Sequence, residues 1–391
     1  MTVGRELAVH RFSSIEALPA PYMKLFAEAE HQSFFLSIDW FRNFERTVAD
    51  STRTVVVYGV QQRGPNEHRA VGALVLWRYR RSEGPVSVHR LESLGNYYTS
   101  YFAPVASTSA AETADICRAL ASAVWSDRNQ WDEFYLQPLD PFAPAYEALV
   151  GLLRERGLIV QSFPCFGNWY LDVGGRSYTE YVRDLPSVVR KNLPYNARRL
   201  ERSFRVRHEL VTATAGLEEA LDDYARIYAT TWKPIEPYPG FLPGLARVAA
   251  ERGWLRLGLV YLDDEPAAAQ LWLVAGRVAS IYKMCYDEKF AKYSVGTVLT
   301  GRLLQHVIDV DKVAEVDYLS GDDSYKQYWM SHRRERWGIR AFNPRSVRGV
   351  FQAVKYVGGR SGKRVLAAMR TLGRRGPQPR AGASSEPSTA S

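Results

Sequence analysis

Leu255-Arg256-Leu257-Gly258-Leu259-Val260-Tyr261-Leu262 runs into Asp263-Asp264-Glu265, then into Pro266–Val274, the pair Gly276-Arg277, and Val278–Tyr286. Each apolar run is short, holds β-branched or aromatic residues, and is bounded by turn-formers, so the stretch predicts a three-stranded antiparallel meander. A loop, Asp287–Ser294, follows, and then a helix over Gly296–Val310 that opens on glycine. Glu315–Leu319 reads as a strand, Ser324–Ser331 as a helix and Trp337–Phe342 as a last strand.

The start of the Gly296 helix is the first candidate site. A helix N-terminus presents unpaired N–H groups and the positive end of a dipole, which together suit a phosphate. Glycine lets the backbone approach that anion closely. The segment Tyr293-Ser294-Val295-Gly296-Thr297 has this form, although an ordinary helix start with Ser294 near the cap reads the same way.

The stretch from Arg190 to Phe342 resembles the cellulose-biosynthesis-protein-like GNAT acyltransferases, relatives of the Fem peptidoglycan aminoacyltransferases. The resemblance is carried by Arg190-Lys191-Asn192-Leu193, Ala197-Arg198-Arg199-Leu200, the meander, and Tyr293-Ser294-Val295-Gly296-Thr297-Val298-Leu299. Its last and most specific piece is Val316-Asp317-Tyr318-Leu319-Ser320-Gly321-Asp322-Asp323-Ser324-Tyr325-Lys326, followed by Trp329. Val295 stands where that family commonly has proline. Phe34–Trp40 and Leu91–Pro104 match more loosely.

This resemblance implies an α/β (α+β) fold of tandem GNAT-like domains, with mixed, mostly antiparallel sheets flanked by helices. It implies an N-acyltransferase taking an acyl group from acyl-CoA or an acyl carrier protein to an amine acceptor, with Tyr293–Thr297 holding the donor. Such chemistry needs a base for the ammonium, dipoles for the oxyanion and an acid for the thiolate. Asp322 is the expected base or amine-orienting group. Tyr325 is the expected acid, or else an oxyanion donor. Lys326 would stabilise developing negative charge, and Asp317 is a further candidate. Asp322 and Asp323 also read as caps for a helix near Ser324. A lipid or sphingoid-type amine is the first acceptor class implied, as in the bacterial ceramide synthase branch. An amino sugar, or Fem-like use of aminoacyl-tRNA, is the alternative.

Upstream, helices are expected over Pro19–Glu30, Ile38–Val48, Ala110–Trp125 and Ala143–Arg156. Strands are expected over Thr54–Val60, Ala70–Arg78, Val88–Leu94, Glu133–Gln137, Leu158–Phe163 and Asn168–Asp172. Asn96–Phe102 is an aromatic-rich loop. Tyr178–Arg183 and the basic Pro186–Phe204 read as helices, Arg205–Leu210 as a strand and Leu217–Trp232 as a helix. Pro234–Gly244 is a proline-rich loop suited to a lid. The division expected is 1–175, a degenerate domain that shapes the acceptor pocket; 176–345, the catalytic domain; and 346–391, a basic tail.

The 391 residues suffice for two domains. Cys117, Cys165 and Cys285 are scattered, without metal-ligand spacing, and suggest thiols in a reducing compartment. No metal motif, Ser-His-Asp set or Cys-His set stands out, so no covalent acyl-enzyme is expected. The N-terminus lacks the apolar segment of a signal peptide. No window reaches the ~18 apolar residues of a membrane span. The expected location is the cytoplasm. Residues 331–391 carry 14 Lys/Arg against Glu335 and Glu386 within a net charge of +9. That asymmetry, with the apolar residues of Val350–Leu372, predicts contact with an anionic membrane surface and no specific nucleic acid. Gly376–Ser391 lacks the apolar residues needed to pack.

Overall fold

The computed structural model describes residues 6–63, 68–83, 86–106, 110–231 and 233–358. The tail beyond residue 358, with most of Val350–Leu372 and all of Gly376–Ser391, lies outside the described residues, as does Trp232. The first half runs β1 (Leu7–Phe12), α1 (Ala20–Ala29), α2 (Ile38–Val48), β2 (Arg53–Arg63), β3 (His68–Glu83), β4 (Val86–Ser93) and the short β5 (Val105–Ala106). It continues through α3 (Ala110–Ser126), β6 (Glu133–Leu139), α4 (Pro144–Glu155) and β7 (Ile159–Asp172). The second half runs α5 (Tyr178–Asp184), α6 (Ser187–Ser203), β8 (Val206–Val211), α7 (Leu217–Ala229), α8 (Phe241–Glu251), β9 (Leu255–Leu262), β10 (Glu265–Ala275) and β11 (Val278–Tyr286). It ends with α9 (Val295–Asp309), β12 (Glu315–Asp317), β13 (His332–Phe342) and a helix over 347–358, α10.

All the described strands join one mixed sheet, in the order β1-β2-β3-β4-β6-β13-β7-β12-β11-β10-β9-β8, with β5 beside β3. Only β4·β6 and β11·β12 pair in parallel. The predicted meander is present as β9, β10 and β11. Asp263 and Asp264 turn the first hairpin with positive φ, and Gly276 and Arg277 turn the second, as two-residue turns that match strand twist require. Gly276 is obligatory for a further reason: a Cβ there would collide with the His31 carbonyl of the first half.

The halves are stitched together by exchanged strands. β7 closes the first half in sequence, yet it lies between β12 and β13. β13 closes the second half and pairs with β6 of the first. Sequence reading divides β7 in two and starts the last strand at Trp337. In the structure β7 is continuous, and β13 begins at His332 because ionic partners satisfy its charged side chains. The core is continuous across the halves. Trp40 and Phe44 of α2 meet Phe241 of α8 edge-on at 5.5 and 4.8 Å, and buried Asn43 donates to the Phe241 carbonyl at 3.0 Å. A second cluster packs α9 against β10, β11 and β12 through Leu299, Leu304, Trp272 and Val316. Among the described residues no helix is long and apolar enough to cross a membrane.

Candidate active site

β11 and β12 pair over Val278–Ser280 and Glu315–Asp317, then separate. The separation is built in chemically. Asp317 accepts from the backbone N–H of Leu319 at 2.6 Å, which turns the chain through a left-handed residue, φ 56°. Asn168 of β7 fixes that turn by donating to Asp317 at 2.5 Å and to the Leu319 carbonyl at 2.8 Å. Past Ser280, β11 has no strand on its β12 side. A bulge in the β10–β11 register leaves Tyr282 without a partner residue and re-aims the strand end.

Two cavities occupy the opening. One, of about 390 Å³, reaches from Met284–Tyr286 of β11 to the first turn of α9 and is closed by Tyr318, Tyr325 and Trp329. The other, of about 260 Å³, lies between β11 and Tyr318–Ser320 and is capped by Tyr97, Tyr98 and Ser100 of the first half. Lys233, Met284, Tyr318 and Tyr325 line both. The aromatic-rich loop seen in the sequence is therefore the first half's wall of the cleft.

Ser294, Val295, Gly296 and Thr297 line the larger cavity. Ser294 is the left-handed residue before α9, φ 56°, and its side chain caps nothing. The first bond within the helix is Val298 N–H to the Ser294 carbonyl, 3.1 Å, so the N–H groups of Val295, Gly296 and Thr297 have no helical acceptor. A Cβ on Gly296 would meet only the Tyr286 ring, at 3.5 Å, so the space above this turn is open. The turn is clamped from below. Gln270 donates to the Gly296 carbonyl at 2.9 Å and accepts from the Trp272 indole at 3.0 Å. Tyr293 stands outside the cavity lining. Its ring packs on Phe204 at 4.9 Å and lies under the Arg199 guanidinium at 5.0 Å. Arg199 brings part of the basic α6 helix to the loop, donating to the Lys292 carbonyl at 3.0 Å.

The four expected catalytic residues separate in the structure. Tyr325 lines both cavities and packs edge-on to Tyr318 at 5.8 Å; burial pushes its hydroxyl pKa up to about 12. Lys326 is buried beside the smaller cavity but tied down: its ammonium donates to the Ser320 and Gly321 carbonyls at 2.6 and 3.2 Å. Burial lowers its pKa. Asp322 is half exposed and lines neither cavity. It forms a two-pronged ion pair with Arg333, 2.7 Å at the closest, and accepts from the Trp169 indole at 2.8 Å, bonds that hold its carboxyl below the usual range. Asp317 is buried as the organiser of the strand separation. Asp323 caps no helix through its side chain; it pairs with Lys326 at 3.3 Å, and Ser324–Tyr328 is a 3-10 turn rather than the expected helix.

Sequence reading passes over two charged residues, one just before the proline-rich loop and one within it. Lys233 donates to the Met284 carbonyl, and burial lowers its pKa. Glu236 accepts from Tyr97 at 2.7 Å, Tyr98, Tyr228 at 3.1 Å and Lys283 at 2.7 Å. Burial alone would raise this carboxyl, but bonds from Lys283, Tyr98 and Tyr97 bring it below its ordinary value. Both residues border a third, apolar cavity of about 300 Å³ beneath the loop, walled by Leu221, Tyr224, Tyr238 and Leu242. The loop is shorter than expected, because α8 begins at Phe241, whose ring stacks on Tyr98 at 4.1 Å.

The arginine run also has a structural destination. Arg334 pairs with Glu315 and Asp317, each at 2.6 Å; Arg336 sits near Asp140 at 3.4 Å; and Arg340 pairs with Glu133. This part of the basic C-terminal excess is neutralised inside the fold. Among the described residues no His, Cys, Asp and Glu group could hold a metal.

A strand pair that opens beside an uncapped helix N-terminus leaves backbone N–H groups facing a cavity, an arrangement suited to an anion. Residues 187–327 match the profile of the Acetyltransferase (GNAT) domain. The chain thus carries a GNAT domain and is an acyltransferase. Among curated proteins, none matches it. Among solved structures it is similar to FemX, with a TM-score of 0.54 and 9% identity over 84% of this chain and 96% of that one. That likeness is one of fold. It is also similar to a tandem GNAT protein from the clavulanic acid biosynthesis pathway, with a TM-score of 0.44 and 12% identity over 87% and 99% of the two chains. The fold is a mixed α/β arrangement in which both halves share one large sheet flanked by helices.

Proposed function

We propose that the protein transfers an acyl group from a CoA or carrier-protein thioester to the primary amine of an envelope lipid precursor. The observation that carries this reading is the opening between β11 and β12, set against three free N–H groups of α9. In this reading Val295, Gly296 and Thr297 bind the pyrophosphate, with Arg199 and Lys292 at the entrance. The pantetheine arm follows the unpaired edge of β11 and brings the thioester carbon to the junction lined by Lys233 and Tyr325. The amine enters from the smaller cavity. Its nitrogen bonds to the thioester carbon while the C–S bond breaks. Glu236, which accepts from the Tyr97 and Tyr98 hydroxyls that cap this cavity, receives the ammonium proton through them. Lys233 offsets the charge on the carbonyl oxygen. Tyr325 gives its proton to the departing thiolate and regains one from solvent. Asp322 positions the loop through Arg333 and takes no part in proton transfer.

Two features support a lipid substrate. The apolar cavity under the 233–243 loop adjoins the donor cavity through Lys233 and suits a hydrocarbon chain. On α10, Val347, Val350, Phe351, Val354 and Val357 are all exposed, while Gln352 and Ala353 face the body. That apolar stripe, carrying Arg348 and Lys355, has the form of a helix that rests on a lipid surface. Free-thiol release from acyl-CoA, measured with and without long-chain amines and paired with mass detection of the amide, tests the proposal. Amine-dependent release with an N-acyl product is expected. Thiol release indifferent to every amine would reject it.

A further inference from the structure

A fourth cavity, of about 240 Å³, lies between the halves, where Ser100 and Leu319 line both it and the smaller cavity of the cleft. Its floor is formed by alternate residues of three strands: Val278 and Ser280 of β11, Glu315 and Asp317 of β12, and Arg334 and Arg336 of β13. Along that face Arg334 is fully used: it donates to Glu315, Asp317 and, at 2.6 Å, Asn168. Arg336, two residues on and only 7% exposed, is not. Its Nε is buried without a partner, its Nη1 stands 3.4 Å from Asp140, and its guanidinium carbon lies 4.9 Å from the centre of the Tyr101 ring. A buried donor left unmade costs about 1–3 kcal/mol, so structures keep one where a ligand or water supplies the acceptor.

Charge decides the kind of acceptor. The lining holds two guanidinium groups, Arg334 and Arg336, against three carboxylates, Glu315, Asp317 and Asp140. Adding a phosphate or carboxylate would worsen an existing negative excess. A neutral hydroxyl fits, because it accepts from Arg336 and donates to Asp140 in one contact. The cavity adjoins the amine's proposed entry route at Ser100 and Leu319.

We propose that this cavity is the recognition site for hydroxyl groups on the acceptor, so that the amine acylated belongs to an amino alcohol. The inference rests on the acyl-transfer reading of the neighbouring cleft. Two sources carry the chemistry: a long-chain amino alcohol and an amino sugar. The test compares a long-chain 2-amino-1,3-diol with the alkylamine of equal length, and glucosamine with cyclohexylamine, each with acyl-CoA. Wild-type protein is expected to favour the hydroxylated member of at least one pair by about tenfold or more in kcat/KM, one hydrogen bond to a charged group being worth that much. The favoured pair identifies the source. Asp140→Asn, which keeps the side-chain oxygen that accepts from the Phe142 N–H, and Arg336→Gln should both bring the ratio close to one. Thioester affinity, read by calorimetry, should not change in either variant. Equal rates for both members of both pairs in the wild type, or a preference that survives both substitutions, would overturn the inference and leave the donor site standing. Absence of thioester binding in the wild type would overturn both.

Discussion

Gly296→Glu is expected to move stability and function in opposite directions. On the stability side, the new Cβ meets only the Tyr286 ring at ordinary contact distance. Removing a helical glycine gains up to ~1 kcal/mol. α9 has no acidic residue in its first turn, and a carboxylate there gains ~0.3–1 kcal/mol from the helix dipole. The variant should therefore unfold at an unchanged or higher temperature, by about 1 °C for ~1 kcal/mol. On the binding side, the side chain places a negative charge over the N–H groups assigned to the pyrophosphate. Hydrogen bonds to a charged group contribute ~1.5–3 kcal/mol each. Losing one or two raises the Kd for CoA by roughly 100-fold. Differential scanning calorimetry reads the first quantity and titration calorimetry the second, with Gly296→Ala as the control that keeps the charge unchanged. A Gly296→Glu protein that binds CoA like the wild type would refute the phosphate assignment. One that fails to fold would refute the claim of open space above the turn.

Other outcomes follow from the same geometry. Tyr325→Phe should lower kcat by about 10²-fold or more while leaving CoA affinity unchanged, whereas Asp322→Asn, outside the cleft, should leave turnover near the wild-type value; the reverse result would return Asp322 to the proton-transfer step. His208 has its pKa lowered to about 4 by burial and by Arg302, and its Nδ1 is buried without a partner. The folded state therefore binds fewer protons than the unfolded one between pH 4 and 6.5, and stability is full above 6.5 and falls as the pH drops towards 4. The bound of ~3 kcal/mol reduces to about 1–2 for a partly exposed ring, and His208→Gln should flatten that slope in urea titrations at pH 4.5 and 7. Replacing both Val350 and Phe351 with aspartate should abolish co-sedimentation with anionic vesicles; undiminished sedimentation would remove α10 as the contact.

The meander, the glycine-opened helix and the strand at Glu315 were legible because each relies on local signals: alternation, paired turn residues and a helix start. The open first turn of that helix followed from the same signals. The surroundings of the expected catalytic residues did not. Asp322, Tyr325 and Lys326 are neighbours in sequence, but a tight 3-10 turn points them to different surroundings. Lys233 reaches the cleft, and Glu236 the tyrosines that cap it, only because α8 and Tyr98 fold the proline-rich loop back over β11, a long-range event without a local signature. Arg334 and Arg336 were counted with a basic tail because single-chain charge counts ignore pairing. Their alternation, two residues apart, was the available sign that one strand face buries them. β13 was read too short for the same reason: charged residues look exposed until their partners, Glu315 and Asp317, are placed beside them. Exchange of β7 and β13 between the halves lay beyond any reading of separate segments.

Titration of the protein with CoA thioesters from acetyl to palmitoyl tests the central claim most directly. Each methylene buried contributes ~0.8 kcal/mol, about fourfold in affinity, until the apolar cavity beneath the loop is filled. The account predicts one-to-one binding that tightens with chain length and then levels off. Absence of binding along the whole series would contradict the donor site. Binding that is independent of chain length would contradict the lipid substrate.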